Sequence, residues 1–248
     1  MAVPTLIISN PPHAERLNLA AAAPLLDLQP EELRPKVMYP VPEIWLAEAK
    51  EAQSKGYARA LVLAGLRLVV VDASALVAIP ARTLVTKFAF GPSALECQTA
   101  GGPVRLLYEQ RLLGVLCTVR EPDTTPAFFD VYAQGAGGIQ RLTFEQGSTD
   151  LRGLLAERRI GVVANLPTLI ATAEKRFRNL TADRRLMNMR LRKRTGLPAE
   201  LVEKRRGFSF ATAQLGDLLE SVQTGLSEIT QTELSSRLVL LTYVGETP

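Results

Sequence analysis

Between Leu151 and Arg206 the chain carries fifteen basic and five acidic residues, a surplus of ten positive charges in fifty-six residues. Twelve of the basic residues are arginines and three are lysines. The net charge of the whole chain is +4, so everything outside this block is acidic on balance. A guanidinium presents a planar fork of N–H donors that fits phosphate or guanine bidentately, whereas lysine supplies a point charge. The chemistry expected of such a block is to grip a polyanion by neutralising phosphates. The residues expected at that surface are Lys175, Arg176, Arg178, Arg184, Arg185, Arg190, Arg192, Lys193, Arg194, Lys204, Arg205 and Arg206.

Other chemistry is thinly supplied. The chain has one histidine, His13, and two cysteines, Cys97 and Cys117. That scarcity argues against most zinc sites, c-type haem attachment and iron–sulfur clusters, and no metal-ligand spacing is present. A serine or cysteine triad would have to recruit His13 from a proline-rich N-terminal stretch. Leu68-Val-Val-Val-Asp72 has the look of a strand and acid at a nucleotide site, yet no glycine-rich loop with Lys-Ser or Lys-Thr accompanies it. Gly135-Ala-Gly-Gly138 is followed by a strand-like run rather than a helix. It therefore reads as a hairpin turn and not as a phosphate cradle. Asp123 with Asp130 is one of many available carboxylate pairs. No catalytic residue, metal or cofactor is expected.

Met189-Arg-Leu-Arg-Lys-Arg-Thr-Gly196-Leu-Pro-Ala-Glu-Leu-Val-Glu-Lys-Arg-Arg206 resembles the helix-turn-helix of DNA-binding proteins over about twenty residues. The resemblance implies a turn at Gly196 and packing between Leu191, Leu197, Leu201 and Val202. It also implies a second helix from Pro198 entering the major groove. Independently, at about 100° per residue, Arg190, Arg192, Lys193 and Arg194 point around most of a helix circumference. Buried unpaired charge is costly, so such a helix end is expected to project. A membrane surface is the weaker partner, because Phe177 is the one aromatic of the block before Gly207.

The elements that must position these residues follow from periodicity and breakers. Residues 1–40 are proline-rich, with short helical pieces at Ala14–Ala22 and near Pro30–Arg34. A helix is expected over Pro42–Lys55. Residues 58–143 read as sheet: Ala60–Val71 bent at Gly65, Thr83–Phe90, then Leu95–Thr99 and Val104–Gln110 around Gly101-Gly102. Leu112–Arg120, Phe128–Ala133 and Ile139–Phe144 follow. Asn165-Leu-Pro167 is a helix start, opening an apolar stripe of Leu166, Leu169, Ile170, Ala173, Phe177 and Leu180. Further helices are expected over Leu151–Arg159, Ala182–Arg194, Pro198–Arg206 and Ala211–Ser235. A strand, Arg237–Val244, would rejoin the sheet.

The 248 residues allow one large domain or two small ones, and 47% apolar with 22% charged residues is ordinary globular usage. The expected fold class is α+β: a mixed, largely antiparallel sheet region over 1–150 and a mostly helical basic region over 151–248. No secretory leader or membrane span is read, and a cytoplasmic location is expected. The expected function is non-enzymatic nucleic-acid binding, duplex DNA favoured, by a regulator or a structural subunit of a nucleoprotein complex. The alternatives are an RNA-binding subunit of a ribonucleoprotein, such as a bacterial RNA-guided (CRISPR-type) defence complex, and an enzyme acting on an anionic small substrate.

Overall fold

The computed structural model describes residues 5–48, 51–119, 127–135, 138–157, 165–189 and 231–245. They form two compact units. The first combines the described residues up to Ile79 with those from 231 onward, and the second comprises those between 80 and 189. Position 150 lies inside the second unit, where Asp150 makes a bridge to Lys87.

In the first unit β1 (Thr5–Ser9) is the middle strand of three. It is flanked antiparallel by β2 (Ile44–Glu48) and β3 (Leu68–Asp72). Every residue of β1 is buried, which explains its near-continuous apolar run: both faces are covered. On one face Ile7, Trp45 and Leu68 pack with residues of three helices, α1 (Leu19–Ala22), α2 (Pro30–Val37) and α3 (Glu51–Leu63). Gly65, at φ +93°, ends the turn after α3, and a Cβ there would lie 2.6 Å from the Arg16 carbonyl. After β3 comes α4 (Ala73–Val77), with Asp72 at its N-cap, so the acid that ends Leu68–Asp72 begins a short helix. The last described helix, α6 (Gln231–Val244), packs on α4, β1 and β3.

The second unit is a seven-stranded mixed sheet. Its strands are β4 (Thr83–Phe90), β5 (Ala94–Thr99), β6 (Gly102–Leu107), β7 (Leu112–Val119), β8 (Phe128–Gly135), β9 (Gly138–Glu145) and β10 (Leu180–Met189). Their spatial order is β10-β7-β8-β9-β4-β5-β6. All pairs are antiparallel except β4 with β9 and β7 with β10. Leu112, Leu116, Phe129, Val131, Leu142 and Phe144 line one face and pack with a 3-10 segment, Leu151–Glu157, and with α5 (Leu166–Arg176). Gly114 is required on β7, because a Cβ there would fall 2.5 Å from the Phe129 ring.

The expected α+β class with a mostly helical C-terminal region is overturned. The described residues are mostly β, in a seven-stranded and a three-stranded sheet, and their helices are few and small. The helix expected over Ala182–Arg194 is strand β10 as far as Met189. Its spacing of Leu186 and Met189 suits a helix, but pairing with β7 along Leu180–Met189 outweighs that local preference. The strand expected over Arg237–Val244 is helix α6. Ser235 through Thr242 are all buried there, and a helix buried all round shows no one-sided apolar period to reveal it. The helix expected over Pro42–Lys55 divides into β2 and the start of α3, and α3 takes the first part of the strand expected over Ala60–Val71. The helices expected over Pro198–Arg206 and over Ala211 to residue 230 lie outside the described residues.

The hairpin expected at Gly101-Gly102 joins β5 to β6, and Gly135 pairs with Gly138 where β8 turns into β9. The strand Thr83–Phe90 buries Val85 and Phe88 instead of alternating strictly, because its register slips between Val85 and Lys87.

Candidate nucleic-acid interface

The basic surface starts with the helix that delivers it. The Asn165 side chain caps α5 by accepting from the Thr168 N–H at 2.9 Å, and Pro167 occupies the first turn. Leu166, Leu169, Ile170 and Ala173 bury one face, which leaves Lys175 and Arg176 exposed in the last turn. Cations there also suit the negative end of the helix dipole.

The helix stops at Phe177, whose backbone turns extended as its ring packs edge-on against Tyr108, 5.0 Å between centroids. Arg178 donates its N–H to the Tyr108 carbonyl at 3.1 Å, and its side chain is exposed. The Asn179 side chain donates to the Glu109 carbonyl at 2.9 Å. The junction between α5 and β10 is thus tied to the turn between β6 and β7. β10 then runs as the outermost strand of the sheet, next to β7.

On β10 two of the expected residues are held by acids. Arg184 donates to Glu174 of α5 at 2.7 Å, with both side chains well exposed. Arg185 is tied to Asp183 through its Nη2 at 2.7 Å and its Nε at 2.8 Å. Lys175, Arg176, Arg178, Arg184 and Arg185 therefore gather around one edge of the sheet. They share it with two acids, Glu174 and Asp183. Arg190, Arg192, Lys193, Arg194, Lys204, Arg205 and Arg206, together with the helix-turn-helix-like segment after Met189, lie outside the described residues.

Two arrangements escaped sequence reasoning. The first lies among β4, β8 and β9. Asp130 is fully buried and receives Arg141 Nη2 at 2.7 Å on one oxygen and the Thr143 hydroxyl at 2.7 Å on the other. Arg82 stands 3.5 Å away through Nε and lies 3.7 Å over the Phe128 ring. Period-two placement on β8 and β9 supplies a signal for Asp130 with Thr143, which are register partners, but none for Arg82. Cys117 is close enough to feel Arg82 and Asp130, yet burial dominates and pushes its thiol up to about 12. The second arrangement is the packing of His13 on Trp45, 5.5 Å between ring centroids.

Among the described residues no group of His, Cys, Asp and Glu could hold a metal ion, and no helix is long and apolar enough to cross a membrane. No protein-family model matches the chain, and no curated protein or solved structure matches it either.

Proposed function

We propose that this chain binds nucleic acid, duplex DNA in the first place, through the segment from Lys175 to Arg206. Its role would be that of a regulator or a structural subunit of a nucleoprotein complex. The observation that carries the reading is the exposure of Lys175, Arg176 and Arg178 where α5 gives way to the outermost strand. That strand ends at Met189, immediately before the run Arg190, Arg192, Lys193 and Arg194. Described exposed cations and the densest arginine run are therefore consecutive along one chain path. The reading leans on charge and does not require the helix-turn-helix, because phosphate contacts alone supply non-specific affinity.

The test is the salt dependence of binding to a labelled DNA duplex and to an RNA of the same sequence. Affinity for the duplex should fall steeply with salt, with a slope of about −0.9 per phosphate neutralised. Changing Arg190, Arg192, Lys193 and Arg194 together to Ala should flatten that slope, with the circular dichroism spectrum unchanged. An unchanged slope removes the assignment. Stronger binding to RNA than to DNA would move it to a ribonucleoprotein.

A further inference from the structure

His13 follows β1, and its imidazole lies half-buried against Trp45 of β2, which is 1% exposed. The His13 Nδ1 accepts the backbone N–H of Arg67 at 3.1 Å. A ring nitrogen that accepts has its lone pair in that bond, so in the neutral ring the proton sits on Nε2. The ring is neutral at pH 7, since burial and the nearby Arg67 charge push it down to about 4. His13 Nε2 is therefore an N–H donor, and it is buried without an acceptor. Trp45 Nε1 can only donate, and it is likewise buried without an acceptor. Two neighbouring orphan donors on rings in contact are an arrangement that folded proteins avoid unless something completes it.

Arg67 is exposed, donates through Nη1 to the Pro12 carbonyl at 3.3 Å, and is the charge that bears on the imidazole. We propose that His13 and Trp45 form a site for the carboxylate of a small organic acid, each ring N–H donating to one oxygen, with Arg67 at the rim balancing the charge. Two donors and one positive charge match a planar monoanion with two oxygens. A phosphate dianion would leave one charge and at least one oxygen unmatched beside a buried indole.

His13 and Trp45 are the sole histidine and the sole tryptophan of the chain, so their side-chain N–H resonances are unambiguous. The experiment follows both resonances by NMR on the full 15N-labelled chain at pH 7. It adds sodium acetate, sodium phosphate, or sodium chloride at matched ionic strength. The expected result is a neutral His13 protonated on Nε2, with acetate shifting both resonances saturably and with one shared midpoint. Chloride should shift neither. Arg67→Gln should weaken acetate binding about two- to fivefold, the scale of one solvent-screened charge. His13 protonated on Nδ1, no saturable shift with acetate, or saturation by phosphate alone would each overturn the proposal. These readings come from the unaltered chain and so stand even where the variant fails to fold.

Discussion

Arg141 and Asp130 meet between β9 and β8 with Nη2 2.7 Å from Oδ2, and neither side chain touches solvent. Asp130 lies beside two guanidiniums, since Arg82 approaches to 3.5 Å, while Thr143 donates to its second oxygen. Removing one partner of a buried pair leaves an uncompensated buried charge.

Asp130→Asn is therefore expected to destabilise the protein by about 3–5 kcal/mol. Thr143→Val, which removes one buried donor, should cost about 1–3 kcal/mol. Urea denaturation of both variants checks this. A loss well below 1 kcal/mol for Asp130→Asn would show that the carboxylate is not the hub of the cluster.

Glu174 neutralises Arg184 across 2.7 Å on a well-exposed surface. An exposed pair contributes about 0–1 kcal/mol to folding, so Glu174→Gln should leave the melting temperature nearly unchanged. The same change frees Arg184 for phosphate. If the basic edge binds nucleic acid, affinity should rise and the salt slope should steepen by up to about 0.9. Unchanged affinity and an unchanged salt slope for Glu174→Gln would argue that this edge faces away from the nucleic acid.

The His13 ring titrates at about 4 in the folded protein against 6.5 for an ordinary histidine. The unfolded chain therefore takes up this proton first as pH falls. The contribution of His13 to stability is complete above about pH 6.5 and declines towards pH 4. His13→Gln should make the pH dependence of the urea midpoint shallower between those limits. Identical slopes for the two proteins would refute a desolvated neutral imidazole.

Cys97 and Cys117 are both 1% exposed, and burial pushes each thiol up to about 12. At pH 8 neither has appreciable thiolate, the form that attacks disulfides. Ellman's reagent should label the native protein only as fast as it opens, and label both thiols at once in denaturant. Prompt labelling of either in the native state would contradict its burial.

Much of the local architecture was readable in advance. Gly101-Gly102 and Gly135 with Gly138 mark real hairpin ends: Gly102 and Gly138 each open the returning strand at positive φ, a conformation that glycine takes at no steric cost. Asn165 and Pro167 mark the start of α5 because cap chemistry is local. What misled were two segments whose form is decided by what they pack on rather than by their own pattern. Leu180–Met189 is a strand because β7 offers it a ladder sixty-odd residues away. Gln231–Val244 is a helix buried on most sides, so its apolar run carries no period.

Charge followed the same division. Composition established how many arginines the third quarter of the chain holds, and spacing established where the chain must turn. Only folding decided which charges are answered: Arg184 by Glu174, ten residues apart, Arg141 by Asp130, eleven apart, while His13 takes its proton donor from Arg67, fifty-four apart. Electrostatic and hydrogen-bond energies depend on distance through space, and a sequence records only distance along the chain.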